Sequence, residues 1–171
     1  MRLFVSVNFD AETVDFLYDK VKKLRREAVS ISYSPRENLH LTLAFIGETD
    51  RVEAAKRALD KISSCKFDFF LSGLGKFPTP DGDIYWVGGE KTEKLTSLAV
   101  CVRKNLTDAG FSIDRKKFSP HVTLGRRVIC IAPPTFSVPK RSVSVSKISL
   151  MKSERVDGRM KYTEIHKVDL K

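Results

Sequence analysis

Apolar residues along the chain fall into two periods, strict alternation in short runs and a three-to-four-residue spacing between them. "LFVSVNF" alternates and predicts a strand, while residues 11–28 carry Val14, Leu17, Tyr18, Val21 and Leu24 at helical spacing. "NLHLTLAFIG" predicts a second strand and residues 50–63 a second helix, with Val52, Ala55, Leu59 and Ile62 on its apolar side. Next come the strand "KFDFFLSG", the turn "FPTPDGD", the strand "IYWVG" and a helix over 91–109 that ends at Gly110. "HVTLGRRV" follows, then a loop with Pro133 and Pro134, and two alternating segments, "SVSVSKISLMKS" and "KYTEIHKVDL", joined by an Asp157-Gly158 turn. Strand, helix, strand, helix and then hairpins predict an α+β fold with antiparallel sheets.

Length and composition set the scale of this fold. The 171 residues, 42% of them hydrophobic, fit one large domain or two small lobes with a substantial core, and no Ser-, Gly- or Pro-rich linker divides the chain. Cys65, Cys101 and Cys130 are an odd number without a CxxC pair or a metal-ligand spacing, so they are read as reduced core thiols in a cytoplasmic protein. The apolar run before Asn8 is too short for a signal sequence, and no stretch is long enough to span a membrane. A net charge of +10 fits two readings equally, a polyanionic partner such as RNA or a surface charged for solubility.

Two of the three histidines, His40 and His121, stand before the same x-Thr-Leu, 81 positions apart. For this chain's own Thr and Leu content the chance of that is on the order of one in ten thousand. The repeat predicts two similar lobes facing each other across a cleft. On a strand, His40 and Thr42 share one face and Leu41 and Leu43 the other, and the same holds for His121 and Thr123 against Val122 and Leu124.

Two imidazoles and two hydroxyls converging on one volume suit a phosphate. The hydroxyls donate to non-bridging oxygens, and an ordinary imidazole pKa near 6.5 lets one ring be neutral and the other protonated near neutral pH. Such a pair supports in-line attack at phosphorus without calling for a metal, and the residues alone leave open which ring is acid and which is base. A guanidinium beside the phosphate adds charge-assisted hydrogen bonds. Strict alternation puts Arg126 on the face opposite His121, so either the strand bulges at Gly125 and re-aims Arg126, or Arg127, which has the right parity, takes that place. Tyr33, Phe45 and Trp86 are candidates to stack a base, with core packing the stronger expectation for Phe45 and Trp86. His166 reads as a surface or edge histidine, and Lys116 and Lys117 as either phosphate contacts or a solvated turn.

"RLFVSV", "YSPRENLHLTLAFIG", "GLGKFPTPDGDIYWVG" and "KKFSPHVTLGR", in that order, resemble the RNA 2′,3′-cyclic phosphodiesterases, or 2′-5′ RNA ligase family, of the 2H phosphoesterase superfamily. The resemblance runs from the first strand to about Arg127. It implies a single domain over 1–171 with a bilobal fold, two antiparallel sheets flanked by helices around a central cleft. It also implies hydrolysis of a terminal 2′,3′-cyclic phosphate of RNA to a 2′-phosphomonoester, without metal or other cofactor. By motif position His40 is the general acid, His121 the general base, and Thr42, Thr123 and Arg126 hold the phosphate. Phe45 matches the family's aromatic position, and Tyr33 and Arg127 are further substrate contacts to test. Many relatives carry Arg-Trp where this chain has Ser32-Tyr33. RNA is the expected partner, with no membrane and a monomeric state. The alternatives are action on linear 2′-5′ linkages or cyclic nucleotides, including 2′-5′ ligation, and a non-catalytic RNA-binding protein.

Overall fold

The alternating segments all fold as strand in the computed structural model, which describes residues 1–171. The order is β1 (Arg2–Asn8), α1 (Ala11–Glu27), β2 (Ser30–Tyr33), a 3-10 turn at Arg36–Asn38, β3 (His40–Glu48), α2 (Val52–Asp60), β4 (Phe67–Phe77), β5 (Asp83–Gly89), α3 (Glu93–Asp108), β6 (His121–Ile129), β7 (Arg141–Val145), β8 (Lys147–Val156) and β9 (Arg159–Asp169). α1 and α3 begin where the sequence supplies a capping side chain. The Asp10 carboxylate accepts from the Thr13 amide at 2.8 Å, and the Thr92 hydroxyl accepts from the Leu95 amide at 3.2 Å. Gly110, at φ 86°, takes the left-handed conformation just past α3.

The strands form two antiparallel sheets, a four-stranded one in the order β3-β1-β8-β9 and a five-stranded one in the order β2-β6-β5-β4-β7. The α+β class read from the element order is therefore the observed one. α3 packs against β3 and α1 against β6, so Leu41, Leu43, Val122 and Leu124 are fully buried on the helix-facing sides. The opposite faces of β3 and β6 carry His40 and Thr42, and His121 and Thr123, all half-buried.

Three expectations change. "SVSVSKISLMKS" is two strands in different sheets, because β7 pairs with β4 and β8 with β1. The break is visible in the parity, since buried Val143 and Val145 give way to buried Ile148 and Leu150 across Ser146. β2, four residues on a sheet edge with a mostly exposed pattern, has no apolar alternation to announce it. Of the cysteines, all free, Cys65 is exposed and so is not a core thiol, while Cys101 and Cys130 are half-buried and packed against the core. No helix is long and apolar enough to cross a membrane.

Trp86 illustrates how the sheet supports the cleft. It lies opposite Gly75 on β4, and a methyl group at Gly75 would overlap the indole ring. We expect Gly75→Ala to destabilise the protein by about 1–3 kcal/mol, the usual cost of overpacking, read as a lowered urea midpoint. A midpoint equal to wild type would show that the ring moves aside freely.

Candidate active site

The two motif strands share one irregularity. Along β3 the pairing with β1 runs Ser6↔Thr42 and then Val5↔Ala44, so Leu43 is an extra residue. Along β6 the pairing with β5 runs Trp86↔Thr123 and then Tyr85↔Gly125, so Leu124 is extra. A bulge at the fourth motif position resets the alternation and turns the sixth residue back to the face of the histidine. That residue is Phe45 in the first motif and Arg126 in the second. Arg126 consequently lines the cleft, whereas Arg127, held at φ 50°, is not among the lining residues.

His40, Thr42, His121 and Thr123 line one cleft of about 540 Å³ between the sheets, together with Arg126, Phe45 and Tyr33. Phe45 is 60% exposed, which corrects the expectation of a core role. Tyr33 is 40% exposed, with the Arg25 guanidinium 3.9 Å above its ring. Trp86 is not in the lining and packs beside the cleft. His166 sits on the edge strand β9, 2.6 Å from Asp60. Lys116 and Lys117 lie in the exposed loop before β6, outside the cleft lining.

Both imidazoles are held the same way. His40 Nδ1 is 2.7 Å from the Asn38 carbonyl oxygen and His121 Nδ1 is 2.8 Å from that of Ser119. A carbonyl only accepts, so Nδ1 carries the proton in each ring and Nε2 is the basic nitrogen. His40 Nε2 accepts from the Thr42 hydroxyl at 2.9 Å, while His121 Nε2 has no partner in the protein. Each ring is also flanked by two aromatics. Phe4 and Tyr162 stand 4.8 Å and 5.3 Å from His40, and Phe77 and Trp86 stand 5.2 Å and 6.1 Å from His121, centroid to centroid.

Sequence reasoning missed Phe4, Phe77 and Tyr162. They reach the histidines through pairing between strands, and their only local signal is an aromatic residue in an alternating or turn segment. Asn38 was missed as well. Its carbonyl orients His40, and its side-chain amide donates to the Met160 carbonyl at 2.8 Å.

Burial of the rings pushes the pKa of both histidines below 6.5. The Asn38 and Ser119 carbonyls oppose this, and the Arg126 charge adds to it at both rings. Without a ligand, then, both rings are neutral at neutral pH, not one neutral and one protonated as ordinary values would give. A bound phosphate anion reverses the electrostatics and favours imidazolium.

The sequence profile of the 2′-5′ RNA ligase superfamily matches residues 14–157. Over 133 residues, 74% of this chain and 72% of the relative, the chain is 36% identical to the RNA 2′,3′-cyclic phosphodiesterase of Archaeoglobus fulgidus. Over 131 residues, 74% of this chain and 70% of the relative, it is 31% identical to the protein of that name from Thermotoga maritima. The crystal structure of Escherichia coli LigT complexed with 3′-AMP superposes with a TM-score of 0.82 at 28% identity, covering 99% of this chain and 97% of that one. Because the profile runs through both motif strands and through most of the sequence between and around them, the chain belongs to the 2′-5′ RNA ligase superfamily.

Proposed function

We propose that the protein hydrolyses the terminal 2′,3′-cyclic phosphate of RNA to a 2′-phosphomonoester, with His121 as general base and His40 as general acid. The observation that carries the reading is the pair of Nδ1-tethered imidazoles on bulged strands, lining one cleft with two threonines and Arg126. His121 Nε2, free of protein partners, takes a proton from water as the water oxygen bonds to phosphorus. The bond from phosphorus to the 3′ oxygen breaks, and His40, which takes up a proton at Nε2 as the imidazolium that the bound phosphate favours, gives that proton to the leaving oxygen. Arg126 and the hydroxyls of Thr42 and Thr123 hold the non-bridging oxygens, where charge accumulates in the transition state.

The freedom of His121 Nε2 and the engagement of His40 Nε2 by Thr42 favour this division of roles. Once Thr42 turns to a phosphate oxygen, His40 Nε2 is released to face the leaving group. The cleft lining contains no carboxylate or thiol, so proton transfer there falls to the imidazoles. The names of the two relatives and the 3′-AMP complex of LigT support an RNA end as the ligand. One domain built of two similar lobes, acting as a monomer in the cytoplasm, completes the reading.

The test is a short RNA ending in a 2′,3′-cyclic phosphate, incubated with protein in the presence and absence of EDTA, with the position of the product phosphate identified. A 2′-phosphate formed at equal rates in both is expected. A 3′-phosphate would overturn the assignment of the leaving oxygen, and loss of activity in EDTA would overturn the two-histidine scheme as stated. No turnover with tight, salt-sensitive binding would favour a binding protein instead.

A further inference from the structure

The cleft continues along one sheet beyond the catalytic pair. Antiparallel register places directly opposed residues on the same face. From His40 and Thr42 the face therefore passes through Asn8, Ser6, Phe4 and Arg2 on β1 to Ser149, Met151 and Ser153 on β8, and Ser153 opposes Tyr162 on β9. β1 ends at Arg2↔Ser153, but β8 and β9 remain paired for three further positions, with Arg155 opposite Met160. The hairpin thus projects past the sheet at the mouth of the cleft. Its cleft-side face presents Tyr162 and Met160, both cleft-lining, and then Arg155, with Arg2 alongside.

Charge and apolar surface alternate suitably along this face. Neither Arg2 nor Arg155 takes part in an ion pair, and the only hydrogen bond of the Arg155 side chain is a 3.4 Å contact to the Gly158 carbonyl. The nearby acids have other partners, Glu154 being held by Lys152 and Glu48, directly opposite Arg2, by the N-terminal ammonium. Same-face residues on a strand repeat every ~7 Å, comparable to the step of an extended nucleotide chain. On the opposite side of the cleft the only cation in the lining is Arg126, assigned to the reacting phosphate, and the Arg25 guanidinium beside Ser32, Tyr33, Ser34 and Pro35 is stacked over Tyr33.

We propose that the cleft-side face of the β8–β9 hairpin, from Tyr162 and Met160 to Arg155 with Arg2 beside them, carries the nucleotides immediately 5′ of the reacting phosphate. Met160 and Tyr162 pack against a base, and Arg2 and Arg155 meet backbone phosphates. The inference rests on the functional reading above and extends it, making the substrate a single-stranded oligonucleotide and not a cyclic mononucleotide. Asn38 ties this surface to the chemistry, because it bonds the Met160 carbonyl through its side chain and His40 through its backbone.

The experiment compares kcat/KM for a 2′,3′-cyclic mononucleotide with that for a tetranucleotide bearing the same cyclic end. The readout is the ratio of the two in wild type, in Arg2→Ala/Arg155→Ala and in Arg159→Ala. Arg159 opposes Val156 on the other face of the hairpin, so its loss removes one positive charge from the same hairpin without touching the surface. Wild type is expected to favour the tetranucleotide, and the double variant to lower the ratio about tenfold or more, as for loss of charged hydrogen bonds. The slope of log kcat/KM against log salt should fall by about 1.4 for two lost single-strand phosphate contacts. Arg159→Ala should keep the wild-type ratio. Equal kcat/KM at both lengths, or equal losses in Arg159→Ala and the double variant, would overturn the surface while leaving hydrolysis intact. Failure of wild type to hydrolyse either substrate would instead remove the functional reading.

Discussion

His121→Ala should lower kcat/KM for a cyclic-phosphate-ended RNA by 10²- to 10⁴-fold, and His40→Ala by a similar factor, the range that positioned acid–base groups contribute. The two effects should not multiply. Base and acid act in one transition state, so a protein lacking either has already lost the concerted path, and the double variant should be little worse than the poorer single one. Folding should survive, because both rings are half-buried at the cleft and outside the continuous core. The urea transition of each variant provides that control. The two variants should differ in one respect. His121 acts on water, so a leaving group that needs no protonation should restore turnover to His40→Ala but not to His121→Ala. Rescue of His121→Ala alone would exchange the roles assigned to the two rings.

Much of this site was legible because catalysis and strand geometry use the same short motif. The period of two put each His and Thr on one face and each apolar pair on the other before any pairing was known, and the structure has that arrangement at both motifs. Alternation alone failed at Arg126. Whether an extra residue sits at Leu124 is decided by the hydrogen-bond register with β5, a contact with a strand more than thirty positions earlier. A faint local trace exists, because the residue after each bulged leucine is small, Ala44 or Gly125, and buried.

The aromatic flanks of the histidines were less legible still. Phe4 meets His40 and Phe45 through the β1–β3 pairing, and Tyr162 meets His40 from the far edge of the same sheet. Alternation reveals that such residues face one side, but not which strand becomes the neighbour. The parity switch at Ser146 is the converse case, a signal present in the sequence whose meaning, a change of sheet, depends on the partners of β7 and β8.

Arg126 is the residue through which charge, geometry and pH meet. Arg126→Met keeps an unbranched side chain but removes the donors aimed at the phosphate, and kcat should fall by about 10²- to 10³-fold, as for loss of an oxyanion-stabilising donor. The same change should move the pH profile. In the free protein the optimum of kcat/KM requires one neutral and one protonated ring, and both pKa values are depressed, chiefly by burial, so the wild-type optimum should lie below pH 6.5. Bound substrate brings a negative charge that favours imidazolium, so the kcat profile should sit at higher pH than that of kcat/KM. Removing Arg126 withdraws a cation that opposes protonation of both rings, and the kcat/KM optimum should shift toward higher pH even as its height collapses. A loss of height with no displacement would mean that Arg126 holds the phosphate without governing the protons. A displacement toward lower pH would contradict the electrostatic arrangement of the cleft itself.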